Sequence, residues 1–381
     1  MAGALDIYLN PPKESEHSLL VVYMQTVKKI YRVGYLRQLI EIYLLGKGPG
    51  KLKPAEYFRY GLFRKTFRLS QKKKFLSPLK YHGLSKRLSH SGKQHFELIQ
   101  NKIAFETFLK SMSIPSTRTI ATCGVGENID DRSFDILLNK QELSQFLYSV
   151  KRFPLFVKPN KGGRGIASFA IYGREDNNLI LQNGASVEID EFSDVIFKRY
   201  GKNFLLQLME AQHNNLIKHF SSIPAVFRIV TQSTPGKGIE TLFLYGKFPE
   251  ANSRGVVHTE SKFHYATLDP VTGALTSDFF RNAPLYSEAN INSVFDRKAL
   301  SEFRLPYCRE LVEIAHRVHQ NLSGLVWLGL DLIVTQNGPI VLEGDHLLHA
   351  RFIQLATGKG LLEGEVGEKI DPVIRELDIA A

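Results

Sequence analysis

Apolar residues recur at helical spacing along parts of this chain and form short unbroken runs along others. The helical spacing predicts one helix, or a pair separated at Gly34, over residues 18–45, and further helices over residues 54–67, 99–112, 140–150 and 306–322. Unbroken or β-branched runs predict strands over residues 119–122, 153–157, 204–209, 225–231, 241–245, 263–268, 326–334 and 339–342. We therefore expect a chain that combines helices and strands.

The stretch RFPLFVKPNKGGRGIASF, residues 152–169, joins a predicted strand to a glycine-rich turn and a second strand. Lys158 ends the first apolar run as a cation, and the three glycines that follow surround Arg164. Backbone without side chains can approach a phosphate closely, and the lysine adds a point charge. The stretch therefore fits either a cradle for a polyphosphate or a solvated basic hairpin.

A second group of charged residues lies in the predicted strands of residues 326–345. The apolar run VWLGLDLIV contains one acid, Asp331, and the return strand after the turn signal Asn337-Gly338 ends in Glu343 and Asp345. Pairing of the two strands would bring the three acids together, and Glu343 and Asp345 would share one face. A hard divalent cation such as Mg²⁺ would relieve their mutual repulsion. The acids therefore predict a metal site, and the alternative is a strand-end acid that pairs with a lysine.

Composition and charge narrow the class of protein. The chain has 381 residues, of which 43% are hydrophobic and 23% charged, as in a soluble globular protein of two or three domains. The net charge of +11 is concentrated in residues 1–100, where 19 Lys and Arg stand against 6 Asp and Glu. Such a segment can contact an anionic membrane surface, nucleic acid or an acidic partner, or it can form a solvated basic face.

Other classes are disfavoured by what the sequence lacks. No apolar run reaches the roughly 18 residues that a membrane helix needs, and no basic region followed by an apolar core suggests a secretory signal, so we expect a cytoplasmic protein. Cys123 and Cys308 have neither zinc spacing nor the pattern of a disulfide framework. Aromatic and basic residues alternate over residues 57–68, but an aromatic stripe at helical spacing predicts core packing, so we expect no specific nucleic-acid contact.

Taken in order, these motifs resemble those of the ATP-grasp superfamily. The order is a helix with Lys102, an apolar strand that ends in Lys158-Pro159, a glycine-rich hairpin, a strand with Arg228, and GLD followed by GPIVLEGD. Within the superfamily, the chain most resembles the sugar-transfer-associated ATP-grasp family, through NKIAF at residues 101–105 and GKLKPAEYFRYGLF at residues 50–63. The resemblance covers roughly residues 45–365.

The resemblance implies an α+β fold in which two α/β lobes clamp ATP, preceded by a helical, basic extension. It implies ATP and Mg²⁺ as cofactors. It also divides the chain into the extension at residues 1–95, a lobe with the glycine-rich loop at residues 96–215, and a lobe with the acids at residues 216–381.

The resemblance assigns roles to single residues as well. Lys102 and Lys158 would contact the nucleotide, and Arg228 would face the transferred phosphate. The acids Asp331, Glu343 and Asp345 would hold Mg²⁺. The other nucleotide contacts would come from the glycine-rich loop and from a hinge near the adenine: Gly162, Gly163, Arg164, Gly165, Gln207, Leu208, Met209 and Glu210.

The sequence departs from the family where substrates other than ATP would bind. Asp345 replaces the asparagine found in most of the superfamily and adds a negative charge to the metal site. The segment after it supplies His346, His349 and Arg351. Together with His264, these residues are candidates for acceptor binding or proton removal, and Arg351 is grouped with Lys158 and Arg228 as a candidate catalytic residue. The departures predict an unusual acceptor, or a chain that has lost part of the reaction.

ATP-grasp chemistry would make the chain a carboxylate–amine or carboxylate–thiol ligase. It would act through an acyl-phosphate on small-molecule carboxylate and amine substrates, in polysaccharide modification or natural-product biosynthesis. Such a site works by position and charge and needs no side-chain nucleophile. The alternatives are a kinase of a small hydroxyl substrate and a nucleotide-binding scaffold whose basic extension, within residues 1–100, docks on an anionic membrane or an acidic partner.

Overall fold

The fold is seen in a computed structural model, which describes residues 16–124, 133–161, 168–200, 203–234, 236–249, 263–287, 295 and 300–379. The described segments contain thirteen α-helices. In chain order these are α1 (Glu16–Tyr31), α2 (Tyr35–Lys47), α3 (Pro54–Arg59), α4 (Leu69–Lys72), α5 (Pro78–Leu88), α6 (Gln94–Gln100), α7 (Lys102–Ser111), α8 (Lys140–Ser149), α9 (Ile189–Tyr200), α10 (Asn214–His219), α11 (Cys308–Gln320), α12 (Ala350–Thr357) and α13 (Gly364–Ile379).

The strands form two sheets. Their bounds are β1 (Arg118–Cys123), β2 (Asp135–Leu137), β3 (Leu155–Pro159), β4 (Phe169–Glu175), β5 (Asn178–Leu181), β6 (Ser186–Glu188), β7 (Phe204–Leu208), β8 (Val226–Thr234), β9 (Gly238–Pro249), β10 (Phe263–Leu268), β11 (Phe280–Arg281), β12 (Trp327–Thr335) and β13 (Gly338–Asp345). The first sheet has the order β2-β1-β7-β3-β4-β5-β6 and the second the order β11-β10-β9-β8-β12-β13. All neighbours pair antiparallel except β1 and β2.

One face of each sheet packs on helices in a large hydrophobic core, because alternate residues along its strands are apolar. The first sheet packs Leu155, Val157 and Leu206 against α8 and α9. The second sheet packs Ile229, Leu244 and Leu330 against α11. The opposite face of the first sheet remains for other contacts, whereas that of the second sheet buries Val230, Tyr245 and Trp327 in a further core with α5, α12 and α13.

Helix α7 connects the two sheets. It contacts β13, where a Cβ atom added at Gly344 would lie 2.9 Å from the ring of Phe105. Just after α7, the backbone of Thr117 donates to Val341, and Val341 donates to Pro115, at 3.1 and 3.0 Å. These bonds cover the outer edge of β13 with a segment that leads into the first sheet.

Most predicted elements form, with two corrections. Of the two possibilities given for residues 18–45, the pair of helices separated at Gly34 forms, since α1 ends at Tyr31 and α2 begins at Tyr35. The helix predicted over residues 54–67 ends at Arg59, because Gly61 turns the chain with a φ of 63°. The helix predicted over residues 99–112 is divided at Asn101, whose side chain accepts a hydrogen bond from the backbone of Ala104 and so begins α7.

The predicted aromatic stripe of residues 57–67 is largely core, as expected. Tyr57, Phe58 and Phe63 are buried, together with Phe280 and Tyr286 from the second half of the chain. The helical extension is thereby fixed to the rest of the protein. No helix in the described segments is long and apolar enough to cross a membrane. The division at residues 95 and 215 stays a prediction.

Candidate nucleotide-binding site

The face of the first sheet that lies opposite its core carries polar residues at the ends of two strands. Val157 and Leu206 point into the core, so their neighbours Lys158 and Gln207 point to the other face. Strands β3 and β7 are adjacent in the sheet. Both Lys158 and Gln207 are nonetheless buried, at 6% and 1% exposure, because α7 lies nearby and supplies Lys102 and Glu106.

The two lysines lie in a site where a positive charge is poorly solvated. Burial lowers the pKa of Lys158 to about 8. The positive charge of Lys102 lowers this pKa as well, whereas the negative charge of Glu343 raises it. Burial also lowers the pKa of Lys102, again against Glu343. Lys102 donates to the backbone carbonyl of Asn160 at 3.3 Å. Glu343 and Glu106 interact with Lys158 through their charge, and no carboxylate of the described residues accepts a hydrogen bond from it. The charge of Lys158 is therefore only partly compensated.

Glu106 and Gln207 form a hydrogen-bonded network beside the lysines. The carboxylate of Glu106 accepts from the backbone and hydroxyl of Thr119, at 2.8 and 2.6 Å, and from Nε2 of Gln207, at 3.1 Å. Burial raises the pKa of Glu106, although Thr119 and Lys158 oppose this. Oε1 of Gln207 has no hydrogen-bond partner among the described residues. The network therefore fixes the side chain of Gln207 and leaves one acceptor available.

A cluster of three charges, of which Arg228 and Asp331 are buried, lies on the second sheet, on the face opposite α11. Arg228 in β8 is paired in register with Asp331 in β12. Its Nε donates to one oxygen of Asp331, and its second guanidinium nitrogen donates to the other oxygen at 2.8 Å. Lys247 in β9 donates to Asp331 at 2.9 Å. Burial alone would raise the pKa of Asp331, but Arg228 and Lys247 outweigh it and hold that pKa below its usual value.

Arg228 is positioned closely by its neighbours. A Cβ atom added at Gly329 would lie 2.9 Å from one terminal nitrogen of Arg228, so glycine leaves the room that the guanidinium occupies. That nitrogen has no hydrogen-bond partner among the described residues. Burial would lower the pKa of Arg228, but Asp331 raises it well above its ordinary value. The arginine is therefore a permanent cation with one donor group to spare.

Glu343 and Asp345 lie on the same face of β13, as predicted. Glu343 is paired in register with Asp331, and Asp345 with Gly329. Glu343 is the carboxylate whose charge reaches both Lys102 and Lys158. The second sheet thus presents an acid to Lys158 of the first sheet and to Lys102 of α7.

Asp345 is bonded to the segment that follows it. Its carboxylate accepts from the backbone of Leu347 at 2.9 Å and lies 2.5 Å from Nε2 of His349. Burial would raise the pKa of Asp345, but His349 and Arg228 keep it below its usual value. This orientation of His349 is a feature that the sequence alone did not indicate.

The histidines after Asp345 contact aromatic side chains of the helices α5 and α6. His346 stacks on Phe96 with ring centroids 4.0 Å apart, and the ring of His349 lies 5.6 Å from that of His82. Both ring nitrogens of the buried His346 lack hydrogen-bond partners among the described residues. Arg351 is the second residue of α12 and interacts electrostatically with the buried Glu56.

One acceptor candidate is not brought into this region. His264 alternates with Tyr265 along β10 and lies on the core side of the sheet, with its ring 5.4 Å from that of Phe295. It therefore lies on the opposite face from Arg228 and Asp331. Polarity alone could not separate His264 from the other histidines, because the side of a strand becomes visible only once the sheet packing is known.

The remaining nucleotide contacts divide into two groups. Leu208 is buried in the core of the first sheet, and Met209 and Glu210 follow it half-buried, with the backbone of Met209 donating to Pro154 at 3.1 Å. The glycine-rich loop, with Gly162, Gly163, Arg164 and Gly165, lies outside the described residues. Sequence reasoning missed Glu106, Lys247 and His82. The signal for Lys247 was a lone lysine within the apolar strand LFLYGKFP.

The acids fit Mg²⁺ only in part. Glu343 and Asp345 offer hard carboxylate oxygens on one face, as Mg²⁺ prefers. Both oxygens of Asp331 already accept hydrogen bonds from cations. The described residues contain no cluster of three or more His, Cys, Asp or Glu arranged to hold a metal ion. The assignment of all three acids as metal ligands stays a prediction. The two oxygens of Asp345 accept hydrogen bonds from Leu347 and His349, so Glu343 is the acid whose carboxylate has no hydrogen bond from the described residues.

Lys158 on the first sheet and Lys102 on α7 lie within reach of the charge of Glu343 on the second sheet, as the resemblance to the ATP-grasp superfamily implied. The family model for sugar-transfer associated ATP-grasp proteins matches residues 82–368, so the chain belongs to that family. ATP-grasp enzymes use ATP and Mg²⁺. No curated protein sequence matches the chain.

Solved structures with similar folds are distant. The carboxyaminoimidazole ribonucleotide synthase of Aspergillus clavatus, complexed with ATP, is 12% identical, with 67% of this chain and 47% of that chain covered and a TM-score of 0.38. The D-alanyl-alanine synthetase A of Vibrio cholerae is 13% identical, with 73% and 65% covered and a TM-score of 0.40. The VanG D-Ala:D-Ser ligase of Enterococcus faecalis is 10% identical, with 76% and 62% covered and a TM-score of 0.40. The chain matches about half of the length of the first and under two thirds of the other two.

Proposed function

We propose that this protein is a Mg·ATP-dependent ligase that joins a small carboxylate to an amine through an acyl-phosphate. The observation that carries the proposal is Lys158, a buried cation without a hydrogen-bonded counter-ion in the described residues, next to Lys102 and opposite Glu343. A buried charge is unfavourable unless it is paired. The phosphates of a nucleotide would supply the missing negative charge.

The two sheets would divide the work of nucleotide binding. Lys102 and Lys158 would contact the phosphates, and the free acceptor of Gln207 together with the backbone at Met209 would face the base. Glu343 and Asp345 would hold Mg²⁺, which would neutralise phosphate charge when bound. Asp331 would act by holding Arg228 in place, unless ligand binding displaces Lys247 or Arg228 from it.

Arg228 would act at the transferred phosphate. A substrate carboxylate oxygen attacks the γ-phosphorus, the bond to the bridging oxygen of ADP breaks, and an acyl-phosphate forms. The spare donor nitrogen of Arg228 would stabilise charge on the phosphoryl oxygens, because a fixed donor in a dry site needs no reorganisation. Asp331 and Gly329 determine where that nitrogen lies.

The second half-reaction needs a site for the amine. The amine nitrogen attacks the acyl carbon, inorganic phosphate leaves with its bonding electrons, and one proton must leave the nitrogen. His349, oriented by Asp345, could accept that proton, while Arg351 would bind an anionic part of a substrate. The particular acid and amine, and a role in polysaccharide or natural-product biosynthesis, are part of this proposal.

The test is a product analysis with the purified full chain. Mg·ATP is supplied with pooled amino acids, amines and sugar acids, ADP and phosphate release are followed, and products are identified by mass spectrometry. We expect an amide. A phosphorylated hydroxyl compound would instead identify a kinase, and tight ATP binding without turnover across the pool would identify a binding protein.

Two variants connect the activity to the site. Lys158→Ala and Glu343→Gln should each abolish ADP formation while the circular dichroism spectrum stays that of the folded protein. Lys218→Ala, at an exposed lysine of α10 outside the site, is the matched control and should keep full turnover. Wild-type turnover in Lys158→Ala or Glu343→Gln would contradict the site assignment.

A further inference from the structure

Helix α2 presents its apolar stripe to the outside of the protein. Leu36, Leu39, Ile40, Tyr43 and Leu44 are exposed, at 74, 54, 49, 65 and 38%. Their spacing of three and four residues places all five on one side of the helix. A helix packed on its own protein turns such a stripe inward, so the orientation of α2 is reversed. We call these five residues the outward stripe.

The inward side of α2 carries Gln38, Glu41 and the buried Leu45, and its two polar residues are held by specific bonds. The buried Gln38 donates to the backbone carbonyls of Met24 and Val33, at 3.1 and 2.8 Å. Glu41 accepts from the hydroxyl of Tyr57 at 2.8 Å and pairs with the buried Lys72 at 2.7 Å. Turning the outward stripe inward would break these bonds, so the reversed orientation belongs to the folded state.

Cations lie at both ends of the outward stripe. Between residues 19 and 53, the exposed charged side chains are six cations and no acid: Lys28, Lys29, Arg32, Lys47, Lys51 and Lys53. Lys28 from α1 lies 4.5 Å from the ring centroid of Tyr35 at the start of α2. Glu41, the acid of this segment, is already neutralised by Arg37 and Lys72.

We propose that the outward stripe and its flanking cations dock on an anionic lipid surface. An interfacial helix places an apolar side among the acyl chains and basic residues at the headgroups, and the tyrosines suit the boundary between them. Charge decides against a second copy of the chain, since two such faces would oppose cation to cation. The protein would lie on the membrane surface, with α2 parallel to it.

Docking by this face would leave the nucleotide site free. Lys158 and Glu343 lie between the two sheets, whereas α2 packs against α1 and α3 in the extension. The proposal does not depend on the ligase activity. Recruitment would bring the enzyme to substrates that are held at, or released from, a lipid surface.

Flotation of the full chain with vesicles tests the proposal. The probes are vesicles of phosphatidylcholine alone and of equal parts phosphatidylcholine and phosphatidylglycerol. We expect binding to the second kind only, weakened by added salt. Lys28→Gln, Lys29→Gln and Lys47→Gln together should weaken binding by about fivefold for each charge removed. Leu36→Gln, Leu39→Gln and Tyr43→Gln together should weaken it by about a hundredfold or more.

Matched controls distinguish membrane binding by the outward stripe from nonspecific binding by exposed residues elsewhere. Val271→Gln with Leu79→Gln removes exposed apolar residues elsewhere, and Lys218→Gln with Lys237→Gln removes exposed cations elsewhere. Both controls should bind like the unchanged protein. No binding to anionic vesicles at low salt, or unchanged binding of the Leu36–Leu39–Tyr43 variant, overturns the proposal. It is also overturned if sedimentation shows a dimer that this variant dissociates, since a second copy then covers the stripe.

Discussion

Two groups of buried charge lie on the facing surfaces of the two sheets, and they differ in how they are compensated. On the second sheet, Asp331 has both oxygens bonded to Arg228 and Lys247. On the first sheet, Lys158 is equally buried, yet the acids near it act only through space. The carboxylate of Asp331 is fully bonded, whereas Lys158 has no hydrogen-bonded anion among the described residues.

This difference distinguishes buried charges that stabilise the fold from buried charges that bind a ligand. The stability of a buried ion pair depends on both partners, because removing one leaves the other as an uncompensated charge without water around it. An uncompensated buried cation makes the free protein less stable and becomes favourable when a ligand arrives. Buried charge by itself therefore does not mark a ligand site, whereas buried charge with an unmet partner does.

The largest expected effect comes from removing the fully bonded carboxylate of Asp331. Asp331→Asn should lower the free energy of unfolding by about 3–5 kcal/mol, because Arg228 and Lys247 lose their common counter-ion. Urea denaturation measures it. Combining Asp331→Leu with Arg228→Met and Lys247→Met should recover most of the loss. A loss below about 1 kcal/mol in Asp331→Asn would mean that the two groups do not differ.

Removing the cation of Lys158 should have the opposite effect on stability. Lys158→Met is expected to leave the free energy of unfolding unchanged or raise it by up to about 2 kcal/mol, since burial penalises the charge. ATP affinity, measured by calorimetry, should fall by about a hundredfold. If Lys158→Met were less stable and bound ATP normally, Lys158 would be a stabilising charge and not a ligand-binding one.

The space that Gly329 leaves for Arg228 is a smaller part of the group around Asp331. Gly329→Ala should lower the free energy of unfolding by about 1–3 kcal/mol, because the new methyl group overlaps the guanidinium. Gly173→Ala in β4 is the matched control, since nothing lies within 4 Å of its added Cβ atom. Equal stability of the two variants would show that Arg228 moves aside freely.

The smallest expected effect is a pH dependence of nucleotide affinity. Burial holds the pKa of Lys158 at about 8, below that of a free lysine, so the lysine is charged below that pH and loses its proton above it. ATP binds the charged form, so affinity should be full below pH 8 and fall by up to about tenfold for each pH unit above it. Calorimetry between about pH 7.5 and 9.5 measures the change. In Lys158→Arg, which stays charged, that fall should disappear, and a flat wild-type profile would contradict a lowered pKa.

Local sequence pattern was enough for the strands and for the residues at their ends. Apolar runs with one charged member located Lys158, Arg228 and Asp331, because such a run forms a strand whatever surrounds it. The common face of Glu343 and Asp345 followed from alternation. The break of the predicted helix at Asn101 was missed, since a cap depends on one hydrogen bond that periodicity does not show.

Partnerships between distant strands could not be predicted. The ion pair of Arg228 and Asp331 joins residues of β8 and β12, and Lys247 enters from a third strand. Which acid meets which cation depends on the register of the sheet, and one residue of shift would move every side chain to the other face. The reversed orientation of α2 was equally hidden, because the sequence shows a stripe but not the side on which it lies.

The segment that covers β13 has a consequence for how the chain can be divided. Pro115 and Thr117 bond to the free edge of this strand, and Phe105 fills the space left by Gly344. A protein cut near residue 215 would leave β13 as an open edge beside an exposed apolar surface. Such edges recruit strands from other molecules, so residues 216–381 produced alone are expected to aggregate, although adding residues 96–215 in trans should restore solubility.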